Sequence, residues 1–247
     1  MSMFLTLAFL FFIGSVGGWV LELVYRNLKS DHKKWINPGF CTGPYVPLYG
    51  FGLCTLFLLA SLERMNLISD PIWNKITVVL LMAAAMTLIE YIAGILCLKV
   101  WKVRLWDYSH LWGNIQGIIC PAFSLVWAAI AVLYDFLIHP HILDALGWLS
   151  RNLAFSFIVG MFFGVFLIDV CHSAQLVAKM KKFAEENDVV VRYEHIKQHI
   201  REKHQQRKNH HNFLFPFHSE QPLGEVLREM KGNLEKRRKN DRHSDRR

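Results

Sequence analysis

The sequence predicts an all-α protein: a polytopic membrane bundle of about five transmembrane helices with a helical, basic tail. Three observations predict it. First, five apolar stretches recur along the 247 residues, at 3–21, 45–62, 76–98, 117–138 and 153–172. A bilayer core of roughly 30 Å needs about 20 apolar residues at 1.5 Å per residue, so each can span or nearly span it. Helices are the expected solution, because lipid offers backbone groups no hydrogen-bond partner outside their own segment. Second, charge is partitioned. Residues 1–172 hold 10 Lys/Arg and 9 Asp/Glu, whereas residues 173–247 hold 18 and 11. The chain therefore divides into a transmembrane domain, 1–173, and a basic tail, 174–247, partly helical and disordered at its end. Third, positive charge alternates between the connecting segments. Segment 22–44 has Arg26, Lys29, Lys33 and Lys34, and segment 99–116 has Lys99, Lys102 and Arg104. On the other side, 63–75 has Arg64 and Lys75, and 139–152 only Arg151. The positive-inside bias then places the N-terminus outside and the tail in the cytoplasm of a plasma membrane.

Helix one is expected over about 3–25. Met1-Ser-Met-Phe4 carries no basic residue and the apolar block is longer than a signal h-region, so it reads as a retained helix. Glu22 lies near its end, on a face with Gly14 or Ser15 and Gly18. Helix two, about 45–62, opens on Pro44-Tyr-Val-Pro-Leu-Tyr-Gly-Phe-Gly52. Two prolines and two glycines there predict a bent or partly unwound entry, a candidate wall of a site; a simple Pro-initiated helix is the alternative. Helix three, 76–98, carries Glu90 on a face with Thr87, Gly94 and Cys97. Helix four, 117–138, and helix five, 153–172, complete the set. Gly160-x-x-x-Gly164 in helix five reads as a packing groove of the kind homo-oligomers use. In the tail, residues 174–208 and 222–239 have helical spacing.

The first four helices pair as two hairpins with a shared pattern. Each leading helix carries one Glu, Glu22 or Glu90. Each link then ends in an Asn with Pro seven residues later, Asn37 to Pro44 and Asn114 to Pro121. Such a pattern is what a decayed parallel repeat of the transporter type leaves, or what chance leaves between membrane hairpins.

Ionisable groups within a membrane are costly and are functional suspects. Glu90 and Glu22 read either as a proton or cation relay or gate anchor, or as structural hydrogen-bond partners, Glu22 reaching to Arg26. Asp169 and His172 share a face, and a local hydrogen bond at the boundary is favoured over a metal site, since two ligands are too few. Trp106-Asp-Tyr-Ser-His110 reads as an aromatic interfacial belt whose Asp107 and Tyr108 could contact a partner or lipid headgroup; consecutive residues cannot form a catalytic triad. Neither G-x-S-x-G nor HExxH occurs, no cofactor is implied, and the chain is not expected to be an enzyme. There is no GxxxxGK[ST] either, so any ATP hydrolysis belongs to a separate ATP-binding subunit. Cys41, Cys54, Cys97, Cys120 and Cys171 lie in or beside apolar segments and read as free thiols. The tail histidines read as solvated helix, and the basic tail as a contact for membrane lipids rather than nucleic acid.

Several stretches, in order, carry a family likeness: Gly17-Gly-Trp-Val-Leu-Glu22, Trp35-Ile-Asn-Pro-Gly-Phe-Cys-Thr-Gly-Pro-Tyr-Val-Pro-Leu-Tyr-Gly-Phe-Gly52, Glu90-Tyr-Ile-Ala-Gly94, Leu105-Trp-Asp-Tyr-Ser109 and Asn114-Ile-Gln-Gly117. Over roughly residues 5–175 the chain resembles the bacterial ABC-transporter permease, type IV family. Pro38 stands where that family often has Arg, and Ile118-Ile-Cys120 only approximates its pattern. The resemblance implies a permease without naming a substrate. It carries over Glu22, Asn37, Gly43, Pro44, Pro47, Tyr49, Gly50, Glu90, Trp106, Asp107 and Asn114 as motif positions. The links 26–44 and 99–116 would face an ATPase partner.

Overall fold

The computed structural model describes residues 2–29, 37–39, 41–63, 68–187, 191–192, 196 and 231–232. Helix α1 runs Met3–Lys29 and α2 runs Pro47–Leu62. Helix α3, Pro71–Ile95, continues through a π turn, Leu96–Val100. Helix α4, Pro121–Leu133, passes through a second π turn, Tyr134–Ile138, into α5, His139–Arg151. A short 3-10 turn, Leu153–Phe155, precedes α6, Ser156–Asn187. Two-residue strands, β1 at Val103–Arg104 and β2 at Val191–Arg192, pair in parallel. Four helical rods, Met3–Leu28, Pro71–Val100, Pro121–Arg151 and Leu153–Asn187, are long and apolar enough to cross a membrane, and Pro47–Leu62 is a shorter apolar helix. The protein is an all-α membrane bundle.

Local chemistry accounts for the helix starts. Proline stands first in α2, α3 and α4, where its missing N–H costs nothing. Asp70 caps α3, its carboxylate accepting from the backbone N–H groups of Ile72 at 2.8 Å and Trp73 at 3.1 Å. The entry of α2 is regular from Pro47 onward, so its irregularity is confined to the preceding segment. Pro140 explains the π turn before it. A proline ring collides with the carbonyl four residues earlier, here Phe136, and the widened turn accommodates the collision.

Two helices run past the ends of their apolar stretches. The predicted external segment 139–152 is largely helix α5, which buries Ile142, Leu146 and Leu149 at helical spacing. Its polar residues end the hydropathy signal without ending the helix. Likewise α6 crosses residue 173 unbroken, burying Ser173, Leu176, Val177, Met180, Phe183, Ala184 and Asn187 on one stripe. Of the tail beyond it, the readings for 188–190, 193–195, 197–208, 222–230 and 233–239 lie outside the described residues, as do His195, His199, His204, His210, His211 and His218.

Packing follows chain order: α1 on α2, α2 on α3, α3 on α4, with α6 returning to α1. Leu10, Met82, Ala131, Tyr134 and Leu149 are fully buried at the centre. The α1–α2 crossing brings backbones into contact. A Cβ at Gly50 would lie 2.2 Å from the Ser15 hydroxyl and 2.8 Å from the Phe11 carbonyl, and one at Gly18 would lie 2.2 Å from the Tyr49 side chain. Small residues make such close approach possible, which is how membrane helices associate without a hydrophobic drive between them.

Candidate functional site

The segment between α1 and α2 (link one) and that between α3 and α4 (link two) lie at the same end of the bundle, since consecutive helices run in opposite directions. Both reach back to the helices, Asp169 receiving link one and Glu90 link two, while a third carboxylate, Glu22, ties α1 to α2.

Asp169, on α6 and 8% exposed, takes the most donors. Link one presents the Gly43 N–H at 2.8 Å, the Thr42 N–H at 3.2 Å and the hydroxyls of Thr42 and Tyr45, while Ser173 donates from one helical turn on. Two backbone N–H groups and two hydroxyls converging from one short segment hold that segment to α6 through charge-assisted bonds. Burial first, and then the negative charge and hydrogen bond of Asp169, push the Tyr45 hydroxyl well above its ordinary pKa, so it stays a donor. Asn37 organises the same link: its Oδ1 accepts from the Trp19 indole at 2.6 Å and its Nδ2 donates to the Thr42 carbonyl at 2.8 Å. The Val46 N–H donates to the Ser15 carbonyl of α1 at 2.9 Å.

Glu22, on α1, pairs with Arg26 at 2.8 Å and accepts from the Tyr49 hydroxyl at 3.0 Å. Glu90, on α3 and 4% exposed, accepts from Tyr108 of link two at 3.1 Å and from the Trp127 indole of α4 at 2.8 Å. Each Glu of the two-hairpin pattern is thus held by an aromatic donor early in the second helix of its own hairpin. The two donors also meet, with the Tyr49 and Trp127 rings 5.9 Å apart and inclined at 54°.

Link two is internally cross-braced. The Asn114 Nδ2 donates to the Ser109 and Leu111 carbonyls, and its Oδ1 accepts from the Gly117 N–H at 3.0 Å. The Tyr108 N–H donates to the Gly117 carbonyl, and the Trp106 indole donates to the Ile118 carbonyl at 2.9 Å. Lys102 and Gln116 take positive φ without being glycine, and the Asn114 and Gly117 contacts span the turn that holds Gln116. Asp107 binds Arg104 at 2.8 Å and the Ser109 N–H at 3.1 Å. Burial acts to raise its carboxyl pKa, but the Ser109 hydrogen bonds and the Arg104 charge outweigh it and hold the group below its ordinary range. Burial, followed by the charge of Glu90, raises Tyr108 well above the usual phenol value.

The candidates from sequence therefore divide. Glu22 meets Tyr49, Glu90 meets Tyr108, and Gly50 sits where α1 and α2 touch. Asn37 and Asn114 each shape their own link, Trp106 and Asp107 brace link two, and Pro44 and Pro47 lead into α2. Asp169 is bound by Thr42, Gly43, Tyr45 and Ser173 and not by His172. Its long-range role was missed; the available signal was a carboxylate in an apolar helix facing a donor-rich Thr42-Gly43 pair in a link at the same end. Also missed was Asp135, whose side chain is 2% exposed and lies 3.1 Å from Lys75 at the opposite end of the bundle. Lys75 also lies 3.6 Å from Glu63 and 4.4 Å from the centre of the Phe136 ring. A lone carboxylate inside the run 117–138 was the signal, because a charge there needs a partner. Among the described residues no cluster of three or more His, Cys, Asp or Glu side chains could hold a metal. The arrangement holds two loops against the helices; its carboxylates are occupied as hydrogen-bond acceptors.

The sequence profile of the family described as Putative ABC-transporter type IV matches residues 9–174. The chain belongs to this family. The matched segment begins within α1 and ends just past Asp169, so it holds all three carboxylates and both links. No curated protein and no solved structure matches the chain significantly.

Proposed function

We propose that this protein is the membrane-embedded, permease-like subunit of a bacterial transport system, working with a separate ATP-binding subunit in the plasma membrane. In this reading the N-terminus is outside, and the link end of the bundle faces the cytoplasm. The observation that carries it is the capture of both links by carboxylates at one end: link one by Asp169, link two by Glu90. A path through the bundle would open and close by releasing those loops, and Glu22, with Tyr49, would line it beside Glu90. The family match supports a transport role. The sequence carries no P-loop motif, which supports assigning any ATP hydrolysis to a partner in this reading.

The test is purification of the tagged chain in mild detergent with identification of what accompanies it. A stoichiometric P-loop ATPase supports the reading, and its reproducible absence removes the ABC-type coupling. Glu90→Gln and Glu22→Gln test the path: both variants folded and every phenotype intact would sink the role given to these residues.

A second reading is a membrane scaffold or regulator that recruits partners through its basic tail. It is favoured by the pairing of β1 in link two with β2 beyond α6, which ties the start of the tail to the bundle. Removal of residues 197–247 separates the two. A permease keeps its core activity, and a scaffold loses all function.

A further inference from the structure

On the outer face of the α3–α4 pair lies an open groove of about 420 Å³, floored by Ala83, Ala84, Thr87 and Tyr91 of α3 and walled by Ile119 and Ser124. None of its lining residues belongs to the carboxylate network, whose Glu90 is bound to Tyr108 and Trp127. The groove is apolar in effect: the Thr87 hydroxyl is spent on the Ala83 carbonyl of its own helix at 3.1 Å. Ala84 and Leu88 on its rim are exposed, so in a bilayer this surface meets lipid tails.

Two cations stand at the link end of this groove. Lys99 stands in the π turn that continues α3, eleven residues and about three turns after Leu88, at the link end of the same rod. Lys102 follows in a left-handed conformation, φ 55°, where the chain turns away from the helix. Both are exposed. Between Ala83 and Lys102 the only carboxylate on α3 is the buried Glu90, so no acidic group of that helix offsets the two lysines.

The spacing fits a lipid. From Ala84 to Lys99 is fifteen residues, about 22 Å at 1.5 Å per residue. One leaflet, from the bilayer midplane through the headgroup region, is about 20–22 Å. We propose that the groove holds an acyl chain of an anionic phospholipid whose headgroup phosphate sits at Lys99 and Lys102. Cationic side chains near the surface attract such headgroups, and a shallow trough of small residues receives a chain without reshaping the helices. Along the helix axis Tyr91 lies about 12 Å below Lys99 at 1.5 Å per residue, nearer the ester region than the phosphate.

The test uses the full chain in phosphatidylcholine vesicles containing a minor fraction of phosphatidylglycerol with a diazirine near the end of one acyl chain. After illumination, cross-links are expected on the Ala83–Tyr91 and Ile119–Ser124 segments, competed by unlabelled phosphatidylglycerol and not by phosphatidylcholine. Replacing both cations, Lys99→Ser with Lys102→Ser, should lower that labelling about tenfold. Ala84→Trp should fill the trough and abolish the labelling with the lysines in place. Labelling spread equally over the exposed Phe157–Ile168 face of α6 overturns the proposal, as does equal competition by phosphatidylcholine. Cross-links joining the 83–91 segment to another copy would assign the groove to a protein contact and also overturn it. Should Ala84→Trp fail to fold, the lysine pair carries the test alone, because both side chains are exposed and can be changed without repacking.

Discussion

The ring of Tyr49 lies 5.9 Å from that of Trp127, and each of these residues donates a hydrogen bond to a carboxylate of the opposing helix in its own hairpin. Glu22 and Glu90 are thereby joined through two aromatic side chains that touch. The two hairpins, already packed through α2 on α3, are thus also linked through their carboxylates.

Tyr49→Phe removes the hydroxyl bonded to Glu22 and keeps the ring. A hydrogen bond to a charged group contributes about 1.5–3 kcal/mol, and Arg26 remains to hold Glu22, so a loss near the low end is expected. Trp127→Phe should cost more, because it withdraws a donor from a carboxylate that is only 4% exposed. Melting temperatures of the purified variants rank the two. The double variant should depart from additivity if the ring contact couples them.

Asp169→Asn should loosen link one without unfolding the helices. The reporter is native: Cys41 is 1% exposed and lies beside Thr42. In a variant whose other cysteines are replaced by alanine or serine, its reaction with a water-soluble maleimide should be slow in the parent and at least tenfold faster with Asn at 169. Equal rates would mean that the carboxylate charge does not hold the link.

Gly18→Ala and Gly50→Ala both drive a methyl into the α1–α2 crossing, against the Tyr49 side chain or against Ser15 and the Phe11 backbone. Overpacking of this kind costs about 1–3 kcal/mol. Gly160→Ala meets nothing within 4 Å and should change stability by less than about 0.5 kcal/mol. Thermal denaturation of the three variants in one detergent makes the comparison.

Lys75→Met leaves the Asp135 carboxylate buried without its cation. Removing one member of a buried pair costs about 3–5 kcal/mol, and the partial exposure of Lys75 places the effect toward the lower figure. Lys75→Met combined with Asp135→Leu should recover most of the loss. Failure of the second change to rescue the first would show that the pair serves more than charge compensation.

Asp107 fixes a pH dependence in link two. Its carboxyl titrates below the ordinary 3.8 in the folded protein, so its contribution is present above that value and lost as pH falls through the lower folded value. Limited proteolysis at link two should be unchanged between pH 7 and 5 and should rise only in more acidic buffer. In Asp107→Asn the same cleavage should already be raised at pH 7.

Apolar length made the spans legible, because a helix in lipid must be apolar for its whole crossing. It missed α5, since Ile142, Leu146 and Leu149 form a stripe that a mean hydropathy averages away, and it broke α6 at residue 173 although the helical spacing of 174–208 was legible. Glu22 and Glu90 were conspicuous as charges in the wrong solvent. What they bind was not legible: nothing along the chain says that Tyr108, eighteen residues on, or Trp127, thirty-seven on, turns toward Glu90. Asp169 was conspicuous beside a histidine close in sequence, and all its partners but Ser173 lie over 120 residues earlier. Tertiary placement decided those pairings.

The distance along the chain between Gly43 and Asp169, 126 residues, also bears on how the molecule is made. The first hairpin leaves the ribosome long before the carboxylate that fastens its link exists. Throughout synthesis of α3, α4 and α5 the donors of Thr42, Gly43 and Tyr45 must be satisfied by water or by an attendant factor. Only insertion of the last membrane helix retires them, so a nascent chain truncated before residue 169 would have its helices threaded and its first loop still open to the quality-control proteases of the cell.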